Sequence, residues 1–127
     1  YKKEESSILK KIEKINNLIS NHEEEVGNPV LEYISSRNDF KLFGKNKITN
    51  KNRAPTISFV SKKKTSKEIA SKLIKNKIAT RNDNFYAWRC LKSLGIDSSD
   101  GVVRISLVHY NSLSDVEKLL KAFNEIN

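Results

Sequence analysis

The segment from Gly101 to Asn111 carries the residues best suited to chemistry, because one arginine interrupts an otherwise apolar, strand-like run. The run is Gly-Val-Val-Arg-Ile-Ser-Leu-Val-His-Tyr-Asn, with Arg104 near its start and a polar corner at His109–Asn111. Burying a guanidinium is costly unless an anion meets it, and its fork of donors matches a carboxylate. An internal Asp or Glu would make Arg104 structural, whereas a substrate carboxylate would make it functional. The residues alone leave both interpretations open.

The two histidines and the single cysteine are weaker candidates for chemistry. His22 falls on the apolar stripe of a helix, which favours a core or interface role. His109 ends the arginine-bearing strand and is better placed for a site, although a structural role is the simpler interpretation. Cys90 falls in mid-helix between apolar residues, so we interpret it as a small buried side chain.

A loop over residues 81–86 is polar and then aromatic, and it precedes a helix N-terminus whose free amides can receive an anion. Elsewhere the chain has no glycine-rich phosphate loop, no nucleophile elbow, and no pair of carboxylates at a convincing spacing. We therefore expect no catalytic residue and no metal site in this chain.

The charge balance gives the main alternative to an enzymatic role. The net charge is +9, from 24 basic and 15 acidic side chains, which favours polyanions electrostatically. The only dense basic cluster is Lys62-Lys63-Lys64, and neither interleaved aromatics nor a basic recognition helix accompanies it. The alternative is a basic module that binds nucleic acid or an acidic protein through lysines of loops 45–52 and 61–64.

Compartment and completeness can also be predicted. One cysteine excludes an internal disulfide framework and favours a reducing compartment. No apolar run approaches the ~20 residues that cross a membrane, so we predict a cytoplasmic protein without a membrane partner. The chain opens at Tyr1 and contains no methionine, which leads us to expect part of a longer protein.

Apolar periodicity predicts a long first helix, because Ile8, Ile12, Ile15 and Ile19 recur at spacings of four and three. We expect a kink or break at Gly27–Pro29, where Asn28 would cap a new helix.

We predict strands over Phe40–Phe43, Thr56–Val60, Ile78–Arg81 and Val102–Val108, and a polar loop over Lys45–Asn52. We predict helices opened by a capping box at Thr65–Glu68, over Phe85–Leu94 with Gly95 at its end, and from about Ser112. We expect Ile69, Leu73 and Ile74 to face inward on the second helix, and Val116, Leu119, Leu120 and Phe123 on the last. This order predicts an α+β two-layer sandwich, a small antiparallel or mixed sheet with helices mainly on one face, preceded by a long kinked helix.

Several runs resemble the C-terminal small domain of class V aminotransferase-type enzymes, essentially over the whole chain and in order. They are Arg53-Ala-Pro-Thr-Ile-Ser-Phe59, Lys77-Ile-Ala-Thr-Arg81, Asn84-Phe-Tyr-Ala87 and Val103-Arg-Ile-Ser-Leu-Val-His-Tyr-Asn111, supported by His22-Glu23, Leu42-Phe43-Gly44 and the Asp115–Phe123 helix. The resemblance is closest to the branch similar to cysteine desulfurases and selenocysteine lyases.

The resemblance implies a pyridoxal 5'-phosphate-dependent lyase or transferase acting on an amino acid, and a homodimer in the intact protein. It implies residues 1–38 as a helical segment linking to a larger domain, and 39–127 as the small domain. The larger domain would carry the lysine that binds the cofactor covalently. Arg104 would bind the substrate carboxylate, and the active-site mouth would be bordered by Arg81, Asn84, Phe85, Tyr86, His109 and Asn111.

One departure from the desulfurases concerns the catalytic cysteine that they carry in the loop before a helix. Phe85 or Tyr86 occupies the matching position here, and Cys90 follows one turn later. A lyase, epimerase or aminotransferase step therefore fits this chain better than persulfide chemistry through that loop.

Overall fold

Over the residues that the structure describes, the protein forms four helices and four strands in the predicted order. A computed structural model describes residues 2–49 and 52–126, with side chains described from residue 7 onward. The elements are α1 (Lys2–Ser36), β1 (Phe40–Phe43), β2 (Thr56–Ser61), α2 (Ser66–Lys75), β3 (Arg81–Asp83), α3 (Trp88–Ser93), β4 (Val102–Ser106) and α4 (Leu113–Asn124). Among these described residues, no helix combines the length and apolar character that spanning a bilayer would need.

The four strands form one sheet in the order β1-β2-β4-β3, and every neighbouring pair is antiparallel. The predicted α+β class is confirmed, and the sheet contains no parallel pair among the described strands. Side chains alternate between faces along each strand. Phe59, Val103 and Ile105 are buried on the face that packs against α1, α2 and α4. Helix α3 lies on the other face, so the helices cover mainly one side.

An aromatic cluster forms the centre of the core. The ring centroid of Phe123 lies 5.8 Å from that of Phe59 and 5.9 Å from that of Phe40. Tyr33 of α1 stacks on the other side of Phe123 at 5.5 Å. Because these rings come from both layers, they join the helices to the sheet.

The expected break in the first helix is wrong, because α1 continues through Pro29 to Ser36. Asn28 does not cap a second helix; its amide donates to the Ile48 carbonyl at 3.0 Å and its carbonyl accepts from the Ile48 N–H at 2.8 Å. Ile48 is buried against Gly27, where a Cβ would overlap the isoleucine side chain. Ile48 therefore attaches the loop that follows β1 to α1. Residues 50 and 51 of this loop lie outside the described part.

Three further boundaries differ from the prediction. Ile78–Thr80 do not pair with β4, and β3 begins only at Arg81, because Lys77 turns the chain with a φ of 61°. Helix α3 begins at Trp88 and not at Phe85, since Phe85 and Tyr86 both have positive φ values. Strand β4 ends at Ser106, two residues before the predicted end.

The predicted capping box at Thr65–Glu68 and the predicted start of the last helix near Ser112 are both confirmed. Thr65 with Glu68, and Ser112 with Asp115, form reciprocal capping boxes. Gly95 follows α3 with a φ of 70°, as predicted. On α2 the prediction for Ile74 is wrong, because its side chain is 58% exposed while Ile69 and Leu73 are buried.

Candidate functional site

A row of four residues crosses the whole sheet on the face opposite the main core. The strand registers place Phe43 opposite Ser58, Ser58 opposite Arg104, and Arg104 opposite Arg81. Directly opposed residues of antiparallel strands share a face, so their side chains point to the same side of the sheet. Arg104 therefore stands on an inner strand, with one paired neighbour on each side.

Phe85 lies directly against the Arg104 guanidinium. The central carbon of that guanidinium is 4.1 Å from the centroid of the Phe85 ring. The guanidinium of Arg81 lies 5.6 Å from the same centroid. Two cations thus share one aromatic ring, an arrangement that the electron-rich ring face stabilises.

A turn with unusual backbone geometry presents this ring. Phe85 and Tyr86 have φ values of 51° and 61°, in the left-handed region that non-glycine residues rarely adopt. Asn84 stabilises the turn, because its side-chain oxygen accepts from the Tyr86 N–H and its carbonyl accepts from the Ala87 N–H, both at 2.9 Å. The Asn84–Ala87 turn is therefore held by its own first residue.

Arg104 and the turn border a cavity of about 350 Å³. Its polar or chemically reactive lining residues are Arg104, Asn84, Ser58, Thr56 and Cys90, and the remainder is mostly apolar. The expectation of a buried Cys90 is wrong: its side chain is exposed and borders the cavity, since Leu91 takes the inward position on α3.

Among the described residues, no carboxylate forms an ion pair with Arg104. In the described ranges 7–49 and 52–126, the side-chain ion pairs join His22 to Glu25, Arg37 to Asp39, and Lys118 to Asp115. Arg104 is half-buried, so it is partly removed from water, and none of the described residues gives it an anionic partner. Such a cation is able to receive a carboxylate from outside.

Arg53 fixes one edge of the cavity. Its guanidinium donates to the Lys45 carbonyl and, at 2.8 Å, to the Thr56 carbonyl, next to the cavity residues Gly44 and Thr56. Partial burial of Arg53 lowers the pKa of its guanidinium below the ordinary value. Through these hydrogen bonds, Arg53 joins Lys45, which follows β1, to Thr56, the first residue of β2.

The remaining candidates from the sequence do not gather at this cavity. Tyr86 is 97% exposed and points away from it. His109 is exposed and packs its ring against Tyr110 at 5.4 Å between centroids. Asn111 borders a separate cavity, and its carbonyl accepts from the His22 ring at 2.7 Å. This bond gives His22 the predicted interface role between α1 and the loop before α4.

Sequence reasoning missed Phe43, Ser58 and Cys90 as lining residues. Strand alternation is the signal that identifies Phe43 and Ser58, since residues facing away from Phe40 and Phe59 must share the face of Arg104. No comparable signal marks Cys90, because its exposure depends on how α3 is rotated against the sheet.

Comparison with known proteins identifies the family of this chain. Residues 7–119 match the model of the family described as aminotransferase class-V. The aminotransferase-like protein FGM3 of Gibberella zeae is 28% identical over 109 residues, which cover 85% of this chain and 27% of that protein. This chain therefore spans about a quarter of the length of the curated relative that it matches.

Solved structures of cysteine desulfurases share the fold of this chain. A cysteine desulfurase from Thermococcus onnurineus NA1, in its apo form, superposes with a TM-score of 0.77 at 27% identity, over 92% of this chain and 28% of that one. The cysteine desulfurase CsdA from Escherichia coli superposes with a TM-score of 0.70 at 20% identity, over 84% of this chain and 25% of that one, and shows the shared fold. With the family match covering most of its length, this chain belongs to the aminotransferase class-V family.

Proposed function

We propose that this chain is the substrate-binding C-terminal domain of a pyridoxal 5'-phosphate-dependent lyase or transferase, and that Arg104 binds the carboxylate of its amino-acid substrate. One observation carries the proposal: a half-buried guanidinium borders a cavity and has no carboxylate partner among the described residues. Membership of the family supports the cofactor and the substrate class.

The residues at the cavity fit a substrate carboxylate and not the covalent anchor of the cofactor. No lysine lines the cavity within the described part of the chain. The anchoring lysine would come from the larger remainder of the protein, and residues 1–38 would link that remainder to the domain formed by 39–127. When bound, the cofactor would withdraw electrons from the substrate α-carbon.

Under this proposal, the role of this chain is to orient the amino-acid substrate. A bidentate grip by Arg104 would fix both the position of the carboxylate and the rotation of the α-carbon above it. Apolar lining residues would exclude water, which strengthens the ion pair. Arg81, Asn84 and Phe85 would border the entrance, and a second subunit of a cytoplasmic homodimer would complete the enzyme.

The reaction we propose is of the type carried out by relatives of cysteine desulfurases and selenocysteine lyases, without a loop cysteine. Tyr86 stands in the turn before α3, and its side chain cannot form a persulfide. Cys90 lies within α3, one turn later. We therefore infer a lyase, epimerase or aminotransferase step on an L-amino acid.

The test uses the full-length protein that contains this chain, first by its visible absorbance and then by kinetics with the amino acid that shifts the absorbance, starting with L-cysteine and L-alanine. We expect Arg104→Leu to raise the KM about tenfold to 150-fold, from the loss of charged hydrogen bonds, while the cofactor absorbance is retained. Arg89→Leu is the matched control, because Arg89 is exposed on α3 and does not line the cavity.

Two results would overturn the proposal. A full-length protein that stays colourless with added pyridoxal 5'-phosphate excludes the cofactor. Equal KM values for wild type and Arg104→Leu remove Arg104 from the site. The alternative of a basic binding module would instead show polyanion binding that weakens steeply with salt.

A further inference from the structure

We propose that Phe85 is a positioning residue for Arg104, holding the guanidinium in place while leaving its hydrogen-bond donors free for the substrate. The inference rests on the proposed function and deepens it. It starts from the 4.1 Å separation between the Arg104 guanidinium carbon and the Phe85 ring centroid.

The chemistry of the contact explains why a ring suits this task better than a carboxylate. An internal Asp or Glu would bind the guanidinium by its N–H groups, which are the groups that a substrate carboxylate needs. The face of an aromatic ring attracts the cation through its quadrupole and consumes no N–H donor. A ring therefore stabilises the orientation of the arginine without competing with the ligand.

The backbone of the Asn84–Ala87 turn is built around this contact. Phe85 and Tyr86 keep left-handed φ values that cost conformational energy, and such strain persists only where the surroundings impose it. The Asn84 side chain bonds to the Tyr86 N–H at 2.9 Å and to the Ser98 carbonyl at 3.5 Å. The turn is thereby tied both to itself and to the loop before β4.

The ring also lies beside two cations that would otherwise repel each other. Arg81 and Arg104 are directly opposed across β3 and β4, and like charges in that position destabilise a sheet. The Phe85 ring contacts both guanidinium groups, at 4.1 Å and 5.6 Å. Its removal would free Arg104 to move away from Arg81 and out of the orientation that the carboxylate requires.

The experiment measures binding of propionate, an unreactive carboxylate, to the full-length holoenzyme by calorimetry, with neutral propionamide as the reference ligand. We expect Phe85→Leu to weaken propionate binding about threefold to thirtyfold, the range for a cation–π contact, with propionamide binding unchanged. Phe85→Tyr keeps the ring and should bind like the wild type. Phe43→Leu is the matched control, because Phe43 lines the same cavity but contacts Lys41.

Arg104→Leu separates failure of this inference from failure of the proposed function. If Arg104→Leu weakens propionate binding and Phe85→Leu does not, only the positioning role is overturned. If Arg104→Leu has no effect, the proposed function fails as well. Equal losses in Phe85→Leu, Phe85→Tyr and Phe43→Leu would show general damage to the cavity and contradict the inference. Should Phe85→Leu not fold, Phe85→Met repeats the test with an apolar, ring-free side chain.

Discussion

Arg37 and Arg104 are both half-buried arginines beside a phenylalanine, but among the described residues only Arg37 of the two pairs with a carboxylate. Its guanidinium forms two bonds of 2.8 Å to the Asp39 carboxylate and lies 4.9 Å from the Phe40 centroid. Arg37 therefore has both an anionic partner and an aromatic contact within the chain, which makes its role structural. Arg104 has the aromatic contact but no carboxylate partner among the described residues, which leaves its N–H donors for a ligand under the proposed function.

The Arg37–Asp39 pair predicts acid sensitivity. Hydrogen bonds from Arg37 lower the pKa of Asp39 from 3.8 to about 2. Because the folded pKa lies below the unfolded one, this stabilisation is fully present above about pH 4 and is lost as the pH falls towards 2. We expect urea unfolding to show that Asp39→Asn costs free energy of unfolding at pH 6 and much less at pH 2.

Comparing the wild type with Asp39→Asn at each pH cancels the contribution of other carboxylates to the free energy of unfolding. Asp97→Asn is a useful second variant, since hydrogen bonds from Ser99 lower the pKa of Asp97 in a turn without an arginine partner. A cost of Asp39→Asn that stays constant between pH 6 and pH 2 would contradict the assignment.

The turn that presents Phe85 depends on how closely β3 approaches the start of β4. Gly101 has a φ of 73°, and a Cβ there would overlap the backbone of Asp83 and Asn84. The preceding residue, Asp100, accepts hydrogen bonds of 2.9 Å from the buried Ser66 N–H at the start of α2. Three elements therefore converge beside the candidate site.

Two glycines allow the effect of that close approach to be isolated. Gly95 has a similar φ of 70° but no atom within 4 Å of an added Cβ. We expect Gly95→Ala to lower the free energy of unfolding by about 1 kcal/mol, from backbone strain alone. Gly101→Ala should cost clearly more than Gly95→Ala in urea unfolding, because the backbone of β3 must also shift. Equal losses would mean that the sheet accommodates the methyl group.

Features determined by a few neighbouring residues could be predicted from the sequence. The capping boxes at Thr65 and Ser112 and the end of α3 at Gly95 follow from local hydrogen bonding and backbone freedom. The position of Arg104 on a strand follows from the apolar run around it. Its place on an inner strand required the register of the whole sheet.

Other features depend on contacts between distant parts of the chain. The helix pattern in the sequence predicted that Phe85 lies inside α3. Phe85 instead lies in a left-handed turn, where its ring packs against Arg104 and the hydrogen bonds of Asn84 hold the backbone. Pro29 predicted a break, but its position permits a continuous helix while Asn28 bonds to Ile48. No local signal in the sequence distinguishes these outcomes.

The first helix behaves as two halves with different surroundings. With 35 residues, α1 extends about 50 Å at 1.5 Å per residue. Val26, Val30 and Ile34 are fully buried in the core, whereas Ile8 and Ile15 are 56% and 55% exposed. Among the described residues, the apolar face of α1 is thus buried only in the second half of the helix, and the isoleucines that mark the helix in the sequence lie mainly exposed in the first half.

This division predicts different energetic costs for the same substitution at two isoleucines of α1. Ile34→Ala should lower the free energy of unfolding by about 2–5 kcal/mol, because Ile34 is fully buried. Ile12→Ala should change it by less than about 0.5 kcal/mol, since Ile12 is 49% exposed in this chain. Urea unfolding of the 127-residue chain measures both, and a large cost at Ile12 would contradict the division.

The row from Phe43 through Ser58 and Arg104 to Arg81 also bears on how such a domain diversifies. Arg104 is held by paired strands on both sides, so under the proposed function the position that receives the substrate carboxylate is fixed by the sheet itself. Residues 84–87 lie outside every strand and helix, so exchanging them changes what surrounds Arg104 while the strand pairing is kept. New selectivity is therefore more accessible to mutation in that short turn than in the strands that support it.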